Sequence, residues 1–585
     1  MAVQNDNLPQ SASPAELPLQ ELRQEEIECE DNSTVCADGR PQNERQLLLE
    51  ADELVTQYAL DDIRNQIRKA ALLIDDPDNL DRVAGLTEEE TDALQGKSKK
   101  RSCCSRFLFR RWGLPTYLCH VGGVLFSSAE LFAMGNFVAY VGKAEISPTR
   151  MAIWFGIKFL GFWLALPSNR YLGRRRTLCA AAATMTPASY GANPDAIPAL
   201  GYIAVSLFAA AVGVFQCTVA PYLAELSPAP NRGAVVSSWI LNQTISILFI
   251  FNTFTVVSLL GIGIGTLLTT SCLLLVCWFT AESPYTSVGK GNAQEAYETL
   301  CRARKYKILA ACDLYRILSF TQTSPPKSPF LPSRATLRAA ASLAIVVTAQ
   351  IIPRILIEFM QLHLDLGYSG IILILLITLF VGVRPISLPV LDLLRRRRLV
   401  LAAMLVTPVI VFIECIGLQA KSWALVACAH LLLLLPIAVQ TLLPVVYAAE
   451  VFPLEFRDVG MAVGASLLFA SEMAARWLIV RLKVAPTNGE FSGTYYSLTA
   501  LVCFGAVQIV LTIFVYLVMR ETAGQALEDM GAVFETRTRD LVRYRLRIHL
   551  PYMFRRYILW KDVDLCPFEM SQYGSKPVRG DDMEA

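Results

Sequence analysis

Histidine is scarce in this sequence, with four residues among 585, and none stands with the 15 cysteines at the spacing of a zinc site. A phosphate-binding loop is also missing, since the stretch "GKGNAQ" (289–294) lacks the required frame. No nucleophile and base stand together in a convincing pattern. The sequence therefore predicts no enzyme, no cofactor and no metal site.

Charged residues are few as well, at 18% of the chain against 54% hydrophobic residues, and the mean hydropathy is +0.41. This composition excludes an ordinary soluble protein of several domains. Apolar runs of about 20 residues, the length that crosses a bilayer as a helix, recur along the chain. The sequence predicts an all-α protein with many membrane crossings.

The charge is unevenly distributed along the chain. Residues 1–96 hold 23 Asp and Glu against 7 Lys and Arg, a net charge of −16. The whole chain carries +2, so the remainder carries +18. The acidic start cannot bury a large core and lacks the design of a signal peptide, so we expect a cytosolic tail.

Twelve crossings are predicted from the apolar runs. They are 115–135, 151–167, 177–193, 198–221, 234–256, 260–281, 336–359, 367–391, 399–418, 423–448, 460–481 and 496–519. Arg and Lys concentrate in the loops on the side that holds both termini, as in "GRRR" after the second crossing and "RRRR" after the eighth. The positive-inside rule places that side in the cytoplasm.

Five regions follow from these spans. They are a cytosolic acidic tail with a basic juxtamembrane end (1–110), a six-helix bundle (111–281), a central cytosolic loop (282–335), a second six-helix bundle (336–522) and a basic cytosolic tail (523–585). The last tail contains the basic and aromatic stretch 538–561, which predicts a helix on the anionic inner leaflet. A tail that is merely solvated is the alternative.

The two bundles carry the same landmarks. "YLAELSPAPNRG" (222–233) ends the fourth crossing, and "YAAEVFPLEFRDVG" (447–460) ends the tenth with glutamate, proline and arginine at the same spacing. The pairs Asn169 and Asp392, Glu225 and Glu450, and Glu282 and Glu521 lie 223, 225 and 239 residues apart. Such parallel repeats predict two bundles related by a pseudo-twofold axis, with a binding site between them.

These motifs resemble the major facilitator superfamily, specifically its sugar porter branch. Together with "GNAQEAYETLCRARKYKILAACDLY" (291–315) and the basic C-terminal stretch, they most resemble divergent fungal sugar-transporter-like proteins. The resemblance implies the major facilitator fold and a cytoplasmic gate. The candidate gate residues are Arg174, Arg175, Glu225, Arg232, Glu282, Asp392, Arg396, Arg397, Glu450, Arg457 and Glu521.

The expected substrate-facing positions depart from the family pattern. The seventh crossing reads "AQIIPRILIEF" and keeps Gln350 alone of the usual polar set, while "AESPY" has Tyr285 in place of arginine. New charges appear inside the membrane instead, where charge is costly and often functional. The candidate binding or coupling residues are Glu130, Gln350, Arg354, Glu358, Gln440, Glu472 and Arg476.

Two of these sets have a specific expectation. Arg354 with Glu358, and Glu472 with Arg476, are each four residues apart on one helix face and can pair. Glu130 is the candidate proton carrier, because desolvation raises the pKa of a carboxyl group toward neutrality. Salt bridges that only fix helix packing remain the alternative.

The sequence thus predicts a secondary active or facilitative transporter that moves a small organic solute by alternating access. A sugar or polyol follows from the resemblance, and protons are the candidate coupling ion. Export of a non-sugar metabolite and a non-transporting nutrient sensor are the alternatives. We expect a monomer in the lipid bilayer of the plasma membrane, with both termini cytoplasmic and no nucleic-acid partner.

Overall fold

The structure is a computed structural model. It describes residues 42–75, 83, 85–94, 148–191, 198–229, 232–237, 259–304, 306–323, 333–356, 395–420, 422–483 and 493–561. The chain divides into two compact units, Met1–Leu86 and Thr87–Ala585. The described helices that are long and apolar enough to cross a membrane belong to the second unit.

The first unit, expected as a cytosolic tail without a large core, contains a helical hairpin. Helix α1 (Gln42–Gln57) and helix α2 (Arg64–Asp75) are joined by a short 3-10 turn. They bury a small apolar set between them, which comprises Ala51, Leu54, Val55, Leu60, Ile67, Ala70 and Ala71. Arg68 forms a two-pronged ion pair with Asp52, at 2.5 and 2.8 Å. The acidic composition of this region obscured the helical spacing of these apolar residues in the sequence.

The regular elements in the described part of the second unit are all helices. It begins with helix α3 (Glu88–Leu94). The long helices of the first half are α4 (Pro148–Leu172), α5 (Arg174–Gly191), α6 (Pro198–Leu226) and α7 (Leu259–Phe279). Those of the second half are α11 (Arg334–Thr348), α12 (Arg396–Gln419), α13 (Trp423–Glu450), α14 (Arg457–Lys483) and α15 (Gly493–Val518).

These nine helices coincide with nine of the predicted crossings. Six segments that coincide with or overlap these helices are long and apolar enough to span a membrane: Ile203–Leu226, Arg334–Leu356, Arg396–Gln419, Ala424–Glu450, Leu454–Ala475 and Leu498–Val518. The crossings predicted at 115–135 and 367–391 lie outside the described residues, as does 238–256 of the fifth.

Helices of the two halves pack against each other as well as within each half. In the first half α6 packs on α4 and α5, and in the second half α12 packs on α13 and α15. Between halves, α14 packs on α4 and α6. Phe469 of α14 lies 5.5 Å from the ring of Phe155 and 5.9 Å from the ring of Phe162. One buried apolar cluster therefore runs through both halves.

Close backbone approach explains two glycines in the first half. A Cβ atom added at Gly161 would collide with the Ala210 carbonyl, and one added at Gly213 would collide with the Lys158 carbonyl. Glycine at both positions lets α4 and α6 pack backbone to backbone, as small residues do in membrane helices.

The central segment, expected as a polar loop, folds into three helices. They are α8 (Pro284–Gly289), α9 (Ala293–Ala303) and α10 (Lys307–Thr323). Helix α9 buries Ala293, Ala296, Tyr297 and Leu300 at helical spacing. Arg304 fixes this layer, because it pairs with Asp313 at 2.6 Å and donates to the last carbonyl of α6, Leu226 O, at 2.6 Å.

Candidate functional site

A buried ion cluster joins the two halves on the side predicted to be cytoplasmic. We call Arg174, Glu225, Arg457 and Asp458 the inner cluster. Arg174, at the first position of α5, contacts Glu225 near the end of α6 at 2.9 Å, and it also contacts Asp458 of α14. Arg457 reaches the same Glu225 at 3.4 Å. The two guanidinium groups thus share Glu225, and the contacts Arg174–Asp458 and Arg457–Glu225 cross the interface between halves.

The surroundings make the inner cluster a low-dielectric site. The Arg174, Glu225 and Arg457 side chains are 7%, 3% and 1% exposed, whereas Asp458 is 33% exposed. Ser283 donates to Glu225 Oε2 at 2.5 Å. Charge-assisted bonds of this kind are stronger than neutral ones. Opening the interface between halves must therefore break several of them.

The second half carries the matching arginine–glutamate pair. Arg396, at the first position of α12, contacts Glu450 at the end of α13, and both side chains are fully buried. Arg396 also donates to Thr522 at 3.1 Å. The repeat therefore reproduces the arginine–glutamate pair in each half, and Asp458 and Arg457 bind the pair of the first half.

A second paired contact holds the starts of α5 and α12. The backbone N–H of Arg175 donates to Glu282 at 3.2 Å, and the backbone N–H of Arg397 donates to Glu521 at 3.2 Å. Each carboxylate satisfies an N–H that has no partner inside its helix and faces the positive end of the helix dipole.

The side chains of Arg175 and Arg397, both candidate gate residues, bind backbone carbonyls. Arg175 donates to the Trp278 carbonyl at 2.6 Å. Arg397 donates to the Tyr516 carbonyl at 3.2 Å and lies 5.2 Å above the ring of Tyr516. These arginines bind the carbonyl ends of α7 and α15, where partial negative charge accumulates.

Arg232, another candidate gate residue, also binds backbone carbonyls. It donates to the Ala224 carbonyl at 3.2 Å and, across the interface between halves, to the Gln525 carbonyl at 3.0 Å. The buried arginine thereby ties the end of α6 to the segment that follows α15. That segment belongs to the same interface as the inner cluster.

Tyr285, which replaces the family's arginine, makes a further contact between the halves. Its hydroxyl donates to Glu528 at 2.6 Å, and its ring lies 5.7 Å from the Arg457 guanidinium. Burial, reinforced by the Glu528 carboxylate, raises the pKa of Tyr285 well above its usual value, so the phenol stays protonated and donates. Tyr285 departs from the family pattern, but its side chain still forms a hydrogen bond between the halves.

A chain of buried amides lies inside the second half. Helix α11 is interrupted at Ala349 and Gln350 before Pro353, which has no N–H for the Ala349 carbonyl. At this break the Gln350 side chain donates to the carbonyls of Gln440 and Thr441 at 2.8 and 3.0 Å. The break brings Gln350 and Gln440, both predicted as binding residues, into contact.

The amide chain continues to two residues that the sequence did not single out. Gln440 donates to the Thr407 hydroxyl at 2.7 Å, and Gln508 donates to Gln440 Oε1 at 2.8 Å. All three of these side chains are buried. Within the described residues, Gln350 Oε1 and Gln508 Oε1 have no hydrogen-bond donor, so each retains capacity to accept one.

The charged pair of the second half connects two helices rather than one helix face. Arg354 lies 3.2 Å from Glu472 of α14, with side chains 27% and 33% exposed. Arg476 lies on the same helix as Glu472. Glu130, Glu358 and Asp392 lie outside the described residues, and the structure describes the backbone but not the side-chain surroundings of Arg476.

Another ionisable pair was missed because its members belong to different helices. Glu414 of α12 and His430 of α13 lie 3.0 Å apart, with side chains 1% and 0% exposed. Apolar residues surround them, among them Ile410, Cys415 and Val426. Helix periodicity could have placed both on buried faces, but only the packing of α12 on α13 shows that they meet.

The helices, the repeat and the cluster between halves define a polytopic membrane protein of the major facilitator fold. Residues 149–534 match the family described as sugar (and other) transporter, so this chain belongs to that family. No curated protein matches the chain.

Solved structures of the xylose transporter XylE share the fold. The chain resembles XylE, described as a proton:xylose symporter of the major facilitator superfamily bound to 6-bromo-6-deoxy-D-glucose, with a TM-score of 0.60, 16% identity and coverage of 72% of this chain and 98% of that one. A double tryptophan mutant of XylE matches with a TM-score of 0.59 and 18% identity, and the match covers 72% of this chain and 98% of that one. The partially occluded inward open form of XylE from E. coli matches with a TM-score of 0.50 and 15% identity, and the match covers 70% of this chain and 98% of that one.

Proposed function

We propose that this protein moves a sugar or polyol across the membrane by alternating access, with the inner cluster as its cytoplasmic gate. The observation that carries the proposal is the set of bonds from Arg174 and Arg457 across the interface between halves. In this arrangement the cytoplasmic ends of the halves are held together. Breaking the cluster is the step that releases solute to the inside.

The amide chain supplies a reason to expect a hydroxylated solute. Gln350 sits at the break of a helix, where irregular backbone in transporters lines a binding site. Its Nε2 atom is occupied by two carbonyls, whereas Oε1 can accept a hydrogen bond from a solute hydroxyl. Gln440 and Gln508 hold Gln350 and its neighbours in place.

Coupling to protons is the second part of the proposal. XylE is described as a proton:xylose symporter. In this chain Glu130 remains the candidate carrier, and the Arg354–Glu472 pair, only part-buried, is positioned to respond to solute or proton arrival. Coupling predicts that solute entry drives alkalinisation of the outer compartment.

The test is uptake and efflux of a labelled sugar and polyol panel by purified protein in proteoliposomes, at two external pH values. We expect saturable flux that rises at acid external pH. Gln350→Ala should raise the KM, because it removes a solute contact, and Glu130→Gln should abolish the pH dependence. Glu455→Gln, at an exposed position beside the gate, is the control.

Two outcomes would contradict the proposal. Flux of sugars and polyols that is absent in both directions, with protein correctly inserted, would direct the search to export of another metabolite and then to a sensing role. Flux that does not change between the two pH values would leave a facilitator and remove proton coupling.

A further inference from the structure

The C-terminal stretch folds into a continuous helical path beyond the last crossing. It comprises Thr538–Tyr544, the wide turn Arg545–His549, Leu550–Met553 and the wide turn Phe554–Ile558. We call residues 538–561 the terminal segment. It belongs to no part of the gate or of the amide chain, so transport as proposed above does not account for its composition.

One face of the terminal segment is anchored to the inner end of α15. Leu541, Tyr544 and Arg545 are buried. Arg545 donates to the carbonyls of Tyr516 and Met519 at 2.6 and 2.7 Å, closing the last turn of that helix. This anchor keeps the start of the segment at the end of a membrane helix, within reach of the headgroup layer.

The other face exposes an unusual number of large apolar side chains. Their exposed fractions are 47% for Leu546, 49% for Leu550, 39% for Met553, 51% for Phe554, 63% for Tyr557, 50% for Leu559 and 88% for Trp560. They recur every three or four residues and so form a stripe along the helical path. In water such a stripe is unfavourable, since it leaves a contiguous apolar surface uncovered.

Basic residues flank this stripe. Arg543, Arg547, Arg555, Arg556 and Lys561 are exposed, and residues 541–561 contain no Asp or Glu. Apolar and aromatic groups on one face beside clustered arginine are the composition of helices that lie in the membrane interface. Arginine favours negatively charged headgroups, because its fork matches phosphate geometry.

We propose that the terminal segment binds the surface of the membrane that holds the protein, with its apolar stripe among the acyl chains and its arginines on anionic headgroups. The occupant is a lipid surface of net negative charge. The segment thereby couples the inner end of α15 to the lipid composition of the inner leaflet. The contact of Arg397 with Tyr516 lies at this end of α15 and is coupled in the same way.

Hydrogen exchange of the full chain in nanodiscs tests this without reference to transport. One set of discs contains phosphatidylcholine alone, and the other contains about one third phosphatidylserine. We expect slower exchange across residues 546–561 in the anionic discs. The difference should shrink in 1 M salt, where the screening length falls to about 3 Å.

Charge variants identify the groups responsible. Arg547→Gln with Arg555→Gln should lower the ratio of bound to free segment about thirty-fold, from the usual contribution of a basic residue near an anionic surface. Arg302→Gln with Arg316→Gln removes the same charge from exposed sites on α9 and α10 and should leave exchange unchanged.

Equal exchange in both kinds of disc would overturn the proposal. The proposal would also be overturned if both double variants abolished the slower exchange in anionic discs to the same extent. The net charge of the protein, and not the terminal segment, would then be responsible. Phe554→Ser, which removes an apolar contact and no charge, should weaken protection in anionic discs if the stripe enters the membrane. Unaltered protection would refute that insertion.

Discussion

Asp458→Asn tests the inner cluster at its least buried member. The substitution removes the negative charge that α14 presents to Arg174 and leaves Glu225 in place. Arg174 therefore keeps a buried ion partner, and the loss is confined to one bond between the halves. We expect the closed state to lose stability relative to the state in which the halves separate on the inner side.

The magnitude follows from exposure. Truncating one member of a buried charge pair costs about 2–5 kcal/mol, and an exposed pair contributes about 0.2–1 kcal/mol. Arg174 is 7% and Asp458 is 33% exposed, so the bond lies between these limits, at about 1–2 kcal/mol. That loss corresponds to a population of the open state about five to thirty times larger.

Hydrogen exchange at the ends of α6 and α14 measures this population, because amides there exchange through opening of the structure. Asp458→Asn should accelerate exchange across residues 222–228 and 457–462 by that factor. Glu455→Gln, which removes the same charge three residues earlier at an exposed position, should not. Equal rates in wild type and Asp458→Asn, or equal acceleration by both variants, would refute the reasoning.

Three further predictions concern stability. Arg395 has a φ of 59°, in the left-handed region that disfavours side chains, so Arg395→Gly should raise the unfolding free energy by about 1 kcal/mol in detergent. Glu414→Ala leaves His430 buried without its carboxylate and should cost about 3 kcal/mol in the same assay. Burial and the neighbouring arginines lower the pKa of His549, which bonds Tyr516 at 2.8 Å. Anchoring of the terminal segment should therefore be complete above about pH 6.5 and should weaken below it.

Each of these has its own check. Gly173 occupies the position equivalent to Arg395 with a φ of 89°, and Gly173→Ala should destabilise the protein. Replacing Glu414 and His430 together by leucine should recover most of the loss, because no buried polar group is then left alone. His549→Gln should make exchange at residues 541–549, corrected for intrinsic rates, independent of pH between 7.5 and 5.5. A persistent pH effect would assign it to another group.

The crossings and the paired motifs were predictable because both depend on local sequence. An apolar run of sufficient length has few alternatives to a membrane helix. The same spacing around Glu225 and Glu450 then indicated a duplication, and the structure places an arginine beside each glutamate. The gate role of those contacts stays a prediction.

Contacts between segments that are far apart in the sequence could not be predicted from local sequence. Asp458 has no equivalent carboxylate in the first half, where Gly233 stands, and its partner Arg174 is 284 residues away. Gln508 and Thr407 look like ordinary polar residues of membrane helices until Gln440 is placed between them. Helix α9 was missed because the high charge of its exposed face concealed the apolar face.

The sharing of ions within the inner cluster has a consequence for leakage. Arg174 and Arg457 hold the same Glu225, so losing one bond weakens the electrostatic field that supports the others. We therefore expect rupture to be cooperative, with few half-separated arrangements. A carrier must never connect both compartments at once, since a continuous aqueous path would dissipate the gradient it uses. In the gate role proposed above, the inner cluster would open in an all-or-none manner, so that a path connecting both compartments would be brief and rare.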